Sequence, residues 1–297
     1  MRKLRQELPP WLKQRVTAEG VATVSSLMRE LDLNTVCQSA DCPNIGECFG
    51  VHTATFLILG GVCTRNCRFC AVPKGRPQGL DLEEPERVAQ AVKKLGLKHT
   101  VITSVTRDDL ADGGAGLFAA CIQKIRQLNP FITIEVLVPD FGGDDAALSV
   151  VLEACPQVFN HNIETVPRLY SLVRPEANYQ RSLGILRKAG EYGSSLTKSG
   201  IMLGFGETES EVLQVLNDLL ANGVKAITIG QYLQPSPEHL PVIEYVHPDR
   251  YKMYEEMGYA LGFLQVVSGP LVRSSYHAAK LLEVDKKLED LDVQVKK

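Results

Sequence analysis

The chain has 297 residues, 44% of them hydrophobic, and a formal net charge of −3. That is enough to bury a large core in one globular domain with extensions, and too balanced a charge to point to nucleic acid as a partner. No apolar run approaches the roughly 20 residues of a membrane span. The basic start MRKLRQELPPWLKQR lacks the apolar centre of a secretory signal. Glu7, Pro9 and Pro10 interrupt any transit-peptide helix, so the expected location is cytoplasmic, with no membrane partner.

In chain order, PPWLKQR (9–15) is expected to wrap the body and to pack Trp11, the only tryptophan. VCQSADCPNIGEC then sets Cys37, Cys42 and Cys48 at a C-x4-C-x5-C spacing. The β-rich run TFLILGG (55–61) reads as the first strand of the body. GVCTRNCRFCAV follows at once, with Cys63, Cys67 and Cys70 at C-x3-C-x2-C and Phe69 just before the last cysteine. Further strands are expected at 99–105, 131–139, 158–164, 199–206 and 226–233. Helical periodicity alternates with them at 84–95, 116–128, 144–154, 179–192, 210–221 and 250–261.

Near-continuous apolar strands separated by helices imply a parallel sheet covered by helices. Right-handed crossovers leave an open doubly wound sheet or a barrel-like one, and in both the loops leaving the strands collect the chemistry. Thr103, Ser104, Glu135, residues 160–164 and 204–207, Gln231 and Tyr232 are therefore expected to converge on the rim that carries the cysteine loop. Taken singly, each is equally a loop cap or a turn. Arg107, Asp108, Asp109 and Asp112 either close over that rim or form a charged loop with helix-capping aspartates.

Six of the eight cysteines lie between residues 37 and 70. Clustered cysteines in a long, core-rich chain indicate metal or chemistry rather than a disulfide scaffold. Cys121 and Cys155 stand alone on apolar faces and are expected to be buried as small hydrophobes. Structural zinc wants four closed ligands. A four-iron cluster takes one ligand per iron, so three thiolates leave one iron open to the amino and carboxylate groups of a small molecule. The upstream triplet fits a zinc loop completed from elsewhere or a second iron–sulfur cluster. Near the end, GPLVRSSYHA (269–278) is either a serine-capped turn before a last helix or a source of ligands, His277 being the obvious one on chemistry alone.

The Cys63–Cys67–Cys70 loop resembles that of the radical S-adenosylmethionine (SAM) family in spacing, in Phe69 and in its place after the first strand. In that family a reduced cluster passes an electron to the bound sulfonium and a 5′-deoxyadenosyl radical results, the cofactor carrying the hard chemistry. The upstream triplet and RSSYHA, with VTRDDLADGGA, NHNIETV, SGIMLGFGET and GQYLQPS, resemble the lipoyl synthase family over roughly residues 10 to 280. The resemblance implies an α/β fold, a partial TIM-type (β/α)6 barrel over 55–265. An N-terminal extension (1–54) would carry the auxiliary cysteines, and a C-terminal one (266–297) the RSSYHA motif and a charged tail.

It further implies two 4Fe-4S clusters: one on Cys63, Cys67 and Cys70, the other on Cys37, Cys42 and Cys48 with Ser275 as its fourth ligand. Asn162, Glu164 and Arg174 would contact the polar groups of SAM, and Gln231, Tyr232 and Leu233 would lie near its adenine. The implied reaction is insertion of sulfur at C6 and C8 of an octanoyl-lysine, with two SAM used per turnover and the auxiliary cluster as sulfur donor. Implied partners are octanoylated lipoyl carrier domains, namely 2-oxoacid dehydrogenase E2 subunits and the glycine cleavage H protein. A reducing protein such as ferredoxin or flavodoxin would supply electrons. A radical SAM enzyme whose auxiliary cluster only shuttles electrons, and a non-catalytic zinc module, are the alternatives.

Overall fold

The computed structural model describes residues 7–13, 18–50, 54–276 and 278. His277, expected as a hydrogen-bond donor behind the ligands, and the charged tail 282–297 lie outside the described residues.

Among the described residues, eight strands form one sheet in chain order: β1 (Asn34–Thr35), β2 (Thr55–Ile58), β3 (His99–Ser104), β4 (Thr133–Leu137), β5 (Val158–Asn160), β6 (Leu196–Leu203), β7 (Ala226–Gln231) and β8 (Gln265–Ser268). Only β1 runs antiparallel, and the sheet stays open between β8 and β1. Helices α1 (Ala18–Glu30), α2 (Val36–Ser39) and α3 (Ile45–Gly50) precede β2. The crossovers carry α4 (Glu84–Leu95), α5 (Ala115–Leu128), α6 (Asp145–Glu153), α7 (Tyr170–Val173), α8 (Tyr179–Tyr192), α9 (Glu209–Ala221) and α10 (Pro248–Leu261). The architecture is the expected partial barrel, with β1 and β8 added to the six strands read from the sequence. β1, at two residues, is too short to display a period, and β8 spans four.

Side-chain alternation along parallel strands divides the sheet into two faces. Ile102, Ile134, Val136, Phe159, Ile201, Ile227 and Ile229 point outward into the two apolar clusters beneath the helices. The opposite row runs through His99, Val101 and Thr103, then Glu135 and Leu137, then Asn160, Lys198, Gly200, Thr228 and Gly230. It is mostly polar or small, and its upper members, Leu137 among them, line a cavity inside the barrel.

Lower in the barrel, Lys198 Nζ lies 2.9 Å from Glu135 Oε1, with both side chains fully buried. His99 Nε2 lies 3.4 Å from Glu135 Oε2, and Asn160 Nδ2 donates to Oε1 over 3.1 Å. Burial opposes ionisation of Glu135, but Lys198 and His99 outweigh it and hold the carboxyl below its ordinary range. Glu135 is therefore mid-strand and internally paired, not on the rim where the alternation of polar strand ends placed it.

Cys121 is buried as expected, but Cys155 is exposed. Pro156 disfavours helix at the preceding residue, so α6 stops at Glu153 and Cys155 turns outward at φ 53°. At the other end of the chain, Trp11 packs edge-on against His247 with ring centroids 5.2 Å apart.

Removing one partner of a buried ion pair leaves an uncompensated charge. Lys198→Met is expected to cost about 3–5 kcal/mol in urea unfolding, and the double variant with Glu135→Leu to recover most of it. Because the fold favours ionised Glu135, its contribution is present above the ordinary carboxylate range and is lost as pH falls below it. The gap between wild type and Lys198→Met should narrow accordingly on acidification.

Candidate active site

The first cysteine loop leaves β2 through two left-handed residues, Leu59 (φ 69°) and Gly60 (φ 93°). Cys63 N–H donates to Pro73 O (2.8 Å) and Gly75 N–H to Cys63 O (3.0 Å), which closes the loop on itself. Thr64 ties it to Thr106 O through both its N–H (3.0 Å) and its hydroxyl (2.9 Å). Inside the loop, buried Arg65 forks onto Asp108 (2.7 and 2.8 Å) and reaches Asp140 (2.6 Å), so the ends of β3 and β4 both brace it. Burial works to raise the Asp140 carboxyl, but Arg65 outweighs it and holds the group down at about 2.

The charged loop after β3 caps a helix, as one of its two readings had it, and none of its four charged residues lines the cavity. Asp108 braces the cysteine loop, whereas Asp112 caps the start of α5 by accepting from Gly114 and Gly116 N–H (2.9 Å each). Arg107 pairs with Asp109 and donates to Leu59 O. The sequence marks Arg65, Asp140 and the Asp108 contact only by an arginine between two cysteines of the loop.

Cys63, Cys67 and Cys70 line a cavity of about 340 Å³, and Cys37 and Cys42 line the same cavity. Burial above all pushes the Cys67 thiol up to about 12 and Cys70 up to about 11. Cys63 Sγ accepts the Thr106 N–H over 3.3 Å. Thiols raised by burial stay protonated until a metal takes the proton's place. The donor set is thus suited to a thiophilic metal group and has three cysteines for it.

Beside these thiols stand Asn162, Glu164 and Arg174. Glu164 holds a left-handed backbone (φ 67°), rare for a side chain of its size and common where function requires strain. Burial pushes its carboxyl up, against the opposing pull of Arg174. Burial also works against the Arg174 charge, but Tyr170, Glu164 and Cys67 hold it up. Its Nη1 donates to Asn162 O (2.9 Å) and Ile163 O (3.3 Å), and its guanidinium lies over the Tyr170 ring. Arg174 is therefore buried in the site, not a member of a surface salt bridge. Arg174 Nε and Asn162 Oδ1 are buried without a protein partner, as expected of groups that meet a polar ligand.

Gln231, Tyr232 and Leu233 reach the cavity wall, but two of their side chains are already engaged. Gln231 donates to three carbonyls (Leu203, Tyr232, Glu244) and accepts from Val246 N–H and Tyr251 Oη. Tyr232 donates to Leu240 O (2.7 Å) and stacks on Phe205. They shape the wall rather than offer free polar tips. Phe69 packs against the apolar cluster of the C-terminal half. His161 is pushed down to about 4 by burial and is neutral, with Nδ1 on Val138 O and Nε2 on Ser182 Oγ.

The second triad is built on two short helices. Thr35 caps α2, which carries Cys37, and α3 carries Cys48. Burial, then the neighbouring cysteines, raise Cys48 to about 12, and burial raises Cys37 to about 11. Residues 271–276 pass between this triad and the inner face of the sheet. Asn44 Nδ2 donates to Leu271 O (2.7 Å), and Tyr276 Oη donates to Glu47 (3.1 Å). Asn162 Nδ2 donates to Ser274 Oγ (2.5 Å), and Thr55 Oγ1 donates to Ser275 Oγ (2.8 Å). Ser275 thus stands within the second triad's surroundings, and Ser274 touches the group beside the first. Two inner-face glycines make room: a Cβ at Gly230 would collide with Val272 O, and one at Gly200 would lie 2.8 Å from Asn162 Oδ1.

Residues 57–219 match the radical SAM superfamily. The sheet resembles those of methylornithine synthase, PylB (TM-score 0.54, 16% identity, 86% of this chain and 80% of that one), and of Streptococcus suis SuiB bound to S-adenosylmethionine (TM-score 0.55, 12%, 82% and 58%). At such identities the likeness carries the fold alone. The lipoyl synthase of Caldanaerobacter subterraneus subsp. tengcongensis is 59% identical over 91% of this chain and 95% of its own. Those of Rubrobacter xylanophilus (56%, 94% and 88%) and Caldicellulosiruptor saccharolyticus (53%, 95% and 99%) are comparable. The chain is a radical SAM protein, of the class that uses a 4Fe-4S cluster and SAM. Within that superfamily it belongs to the lipoyl synthase family.

Gly230→Ala must push Val272 off the sheet. Overpacking of this kind costs about 1–3 kcal/mol. Amide exchange at Val272 and Tyr276 should quicken by about tenfold or more, while amides in β3 and β4 keep their protection.

Proposed function

We propose that this chain inserts two sulfur atoms, at C6 and C8, into an octanoyl group amide-linked to a lysine of a lipoyl carrier protein. The observation that carries the reading is that Cys63, Cys67 and Cys70, two members of the second triad (Cys37 and Cys42), Glu164 and Arg174 open on one cavity. Cys63, Cys67 and Cys70 would hold the cluster that SAM completes. Cys37, Cys42 and Cys48, with Ser275, would hold an auxiliary 4Fe-4S cluster. When bound, these groups supply the electron, the hydrogen-abstracting radical and the sulfur, with two SAM used per turnover.

The chain's own residues supply place and environment. Glu164, a buried acid seeking a cation, suits the amino or sulfonium group of SAM, and Arg174 suits its carboxylate. Asn162 brings the unpartnered Oδ1 to the same ligand. Phe69 and Leu233 close apolar parts of the wall, and Gln231 and Tyr232 fix its shape beside the adenine. Leu57, Val105, Leu137, Val138 and Met202 add an apolar lining that fits an alkyl chain and excludes water. Ser275 offers an oxygen, a harder and poorer ligand for an iron–sulfur centre than a thiolate. A ligand of that kind can let go when sulfur is withdrawn.

The carrier would be a folded domain that presents its acyl-lysine to the cavity, such as a 2-oxoacid dehydrogenase E2 subunit or the glycine cleavage H protein. Ferredoxin or flavodoxin is the class of reductant. The test supplies an octanoyl-lysine peptide, SAM and reductant to the anaerobically reconstituted chain. The expected product has gained two sulfurs, as a dithiol under the reductant and as a cyclic disulfide with two hydrogens fewer once oxidised in air, and the auxiliary sulfide has fallen. Ser275→Cys should keep the iron and sulfide of two clusters and lose sulfur insertion. An auxiliary cluster intact after one turnover would remove the donor role, and zinc without acid-labile sulfide would remove the enzyme reading.

A further inference from the structure

Thr55 opens β2 on the inner face of the sheet and is 4% exposed. Its strand partner is Val101, and a threonine at that register would satisfy the sheet equally well as valine. The hydroxyl nevertheless has a specific engagement. Oγ1 donates to Ser275 Oγ over 2.8 Å, across 220 residues of sequence. Cys37, another member of the proposed auxiliary ligand set, lines the same cavity as Ser275.

The two hydroxyls are not equivalent. Thr55 is β-branched and anchored in the sheet, so its rotamer is stiff. Ser275 lies outside regular secondary structure, in the segment that follows β8. A serine oxygen that binds iron gives up its proton and becomes a strong hydrogen-bond acceptor. The donor already aimed at that oxygen is Thr55. We infer that Thr55 is the positioning residue for the oxygen ligand of the auxiliary cluster, holding Ser275 Oγ beside Cys37 so that the fourth iron is closed. This inference rests on the assignment of Ser275 as a ligand, and the experiment separates the two.

The full chain carrying Cys63→Ala, Cys67→Ala and Cys70→Ala is reconstituted so that the auxiliary cluster is its sole iron–sulfur group. Ferricyanide then removes one electron and one Fe2+ from any 4Fe-4S cluster whose fourth iron is open, leaving a 3Fe-4S cluster with its own paramagnetic resonance signal. The readout is the rate at which that signal appears. Ser275→Ala, which opens the iron, sets the upper rate. Thr55→Val keeps shape and strand preference and removes only the donor. It should raise the rate about tenfold or more over the parent, as loss of a charge-assisted hydrogen bond implies. Thr55→Ser should stay near the parent rate.

If Thr55→Val matches the parent while Ser275→Ala does not, Thr55 merely packs and the inference is overturned with the ligand assignment intact. A Ser275→Ala rate equal to the parent's removes the ligand assignment and Thr55's role with it. Should Thr55→Val not yield folded protein, Thr55→Ala and Thr55→Ser are compared, since both lose the γ-methyl and only one keeps the hydroxyl. Equal rates for that pair likewise overturn the role.

Discussion

The site depends on how closely the C-terminal segment approaches the inner face of the sheet. A row of larger side chains there would fill the barrel as a packed core. Here the row narrows at Gly200 and Gly230, and residues 272–275 occupy the space. This close approach brings Ser274 to Asn162 and Ser275 to Thr55. Chain segments more than 200 residues apart then share one cavity. The openness of the sheet serves the same end, because a closed barrel would leave no lateral gap for the N-terminal helices and the C-terminal segment to meet through.

The parts of this arrangement legible in the sequence are those whose chemistry is local. Three cysteines in eight residues after an apolar run mark a metal loop at the end of a strand whatever the rest of the chain does. Six crossovers with distinct periods mark the body of the sheet. What escaped is contact between distant segments. Arg65 is one arginine among many until Asp108 and Asp140 are seen to flank it. Asn44 holds a carbonyl 227 positions away, and no local pattern announces that. The misplacements have the same origin. Glu135 reads as a rim residue because polar strand positions usually sit at ends, yet Lys198 neutralises it mid-strand. Cys155 reads as the apolar end of a helix that Pro156 in fact cuts short. Gln231 and Tyr232 come to the wall as their place at the end of a strand implied, but only the structure shows how many of their polar atoms the fold already uses.

The cavity also concentrates features that are each unfavourable to the folded chain alone. Thiols are raised by burial to between about 11 and about 12. Glu164 combines a strained backbone with a carboxyl that burial makes costly to ionise. Two buried polar atoms beside it lack partners. Elsewhere the same fold sets an opposite charge against its buried carboxylates, Lys198 against Glu135 and Arg65 against Asp140. The contrast locates the exception. On the proposed function, a thiophilic metal would relieve the first cost by displacing the thiol protons, and a ligand with an ammonium and a carboxylate would relieve the others. Binding free energy is then also folding free energy for this region. The loop bearing Cys63 and the segment bearing Ser275 should therefore gain order together as their groups assemble, because Asn162 and Ser274 join the two sites by a single hydrogen bond.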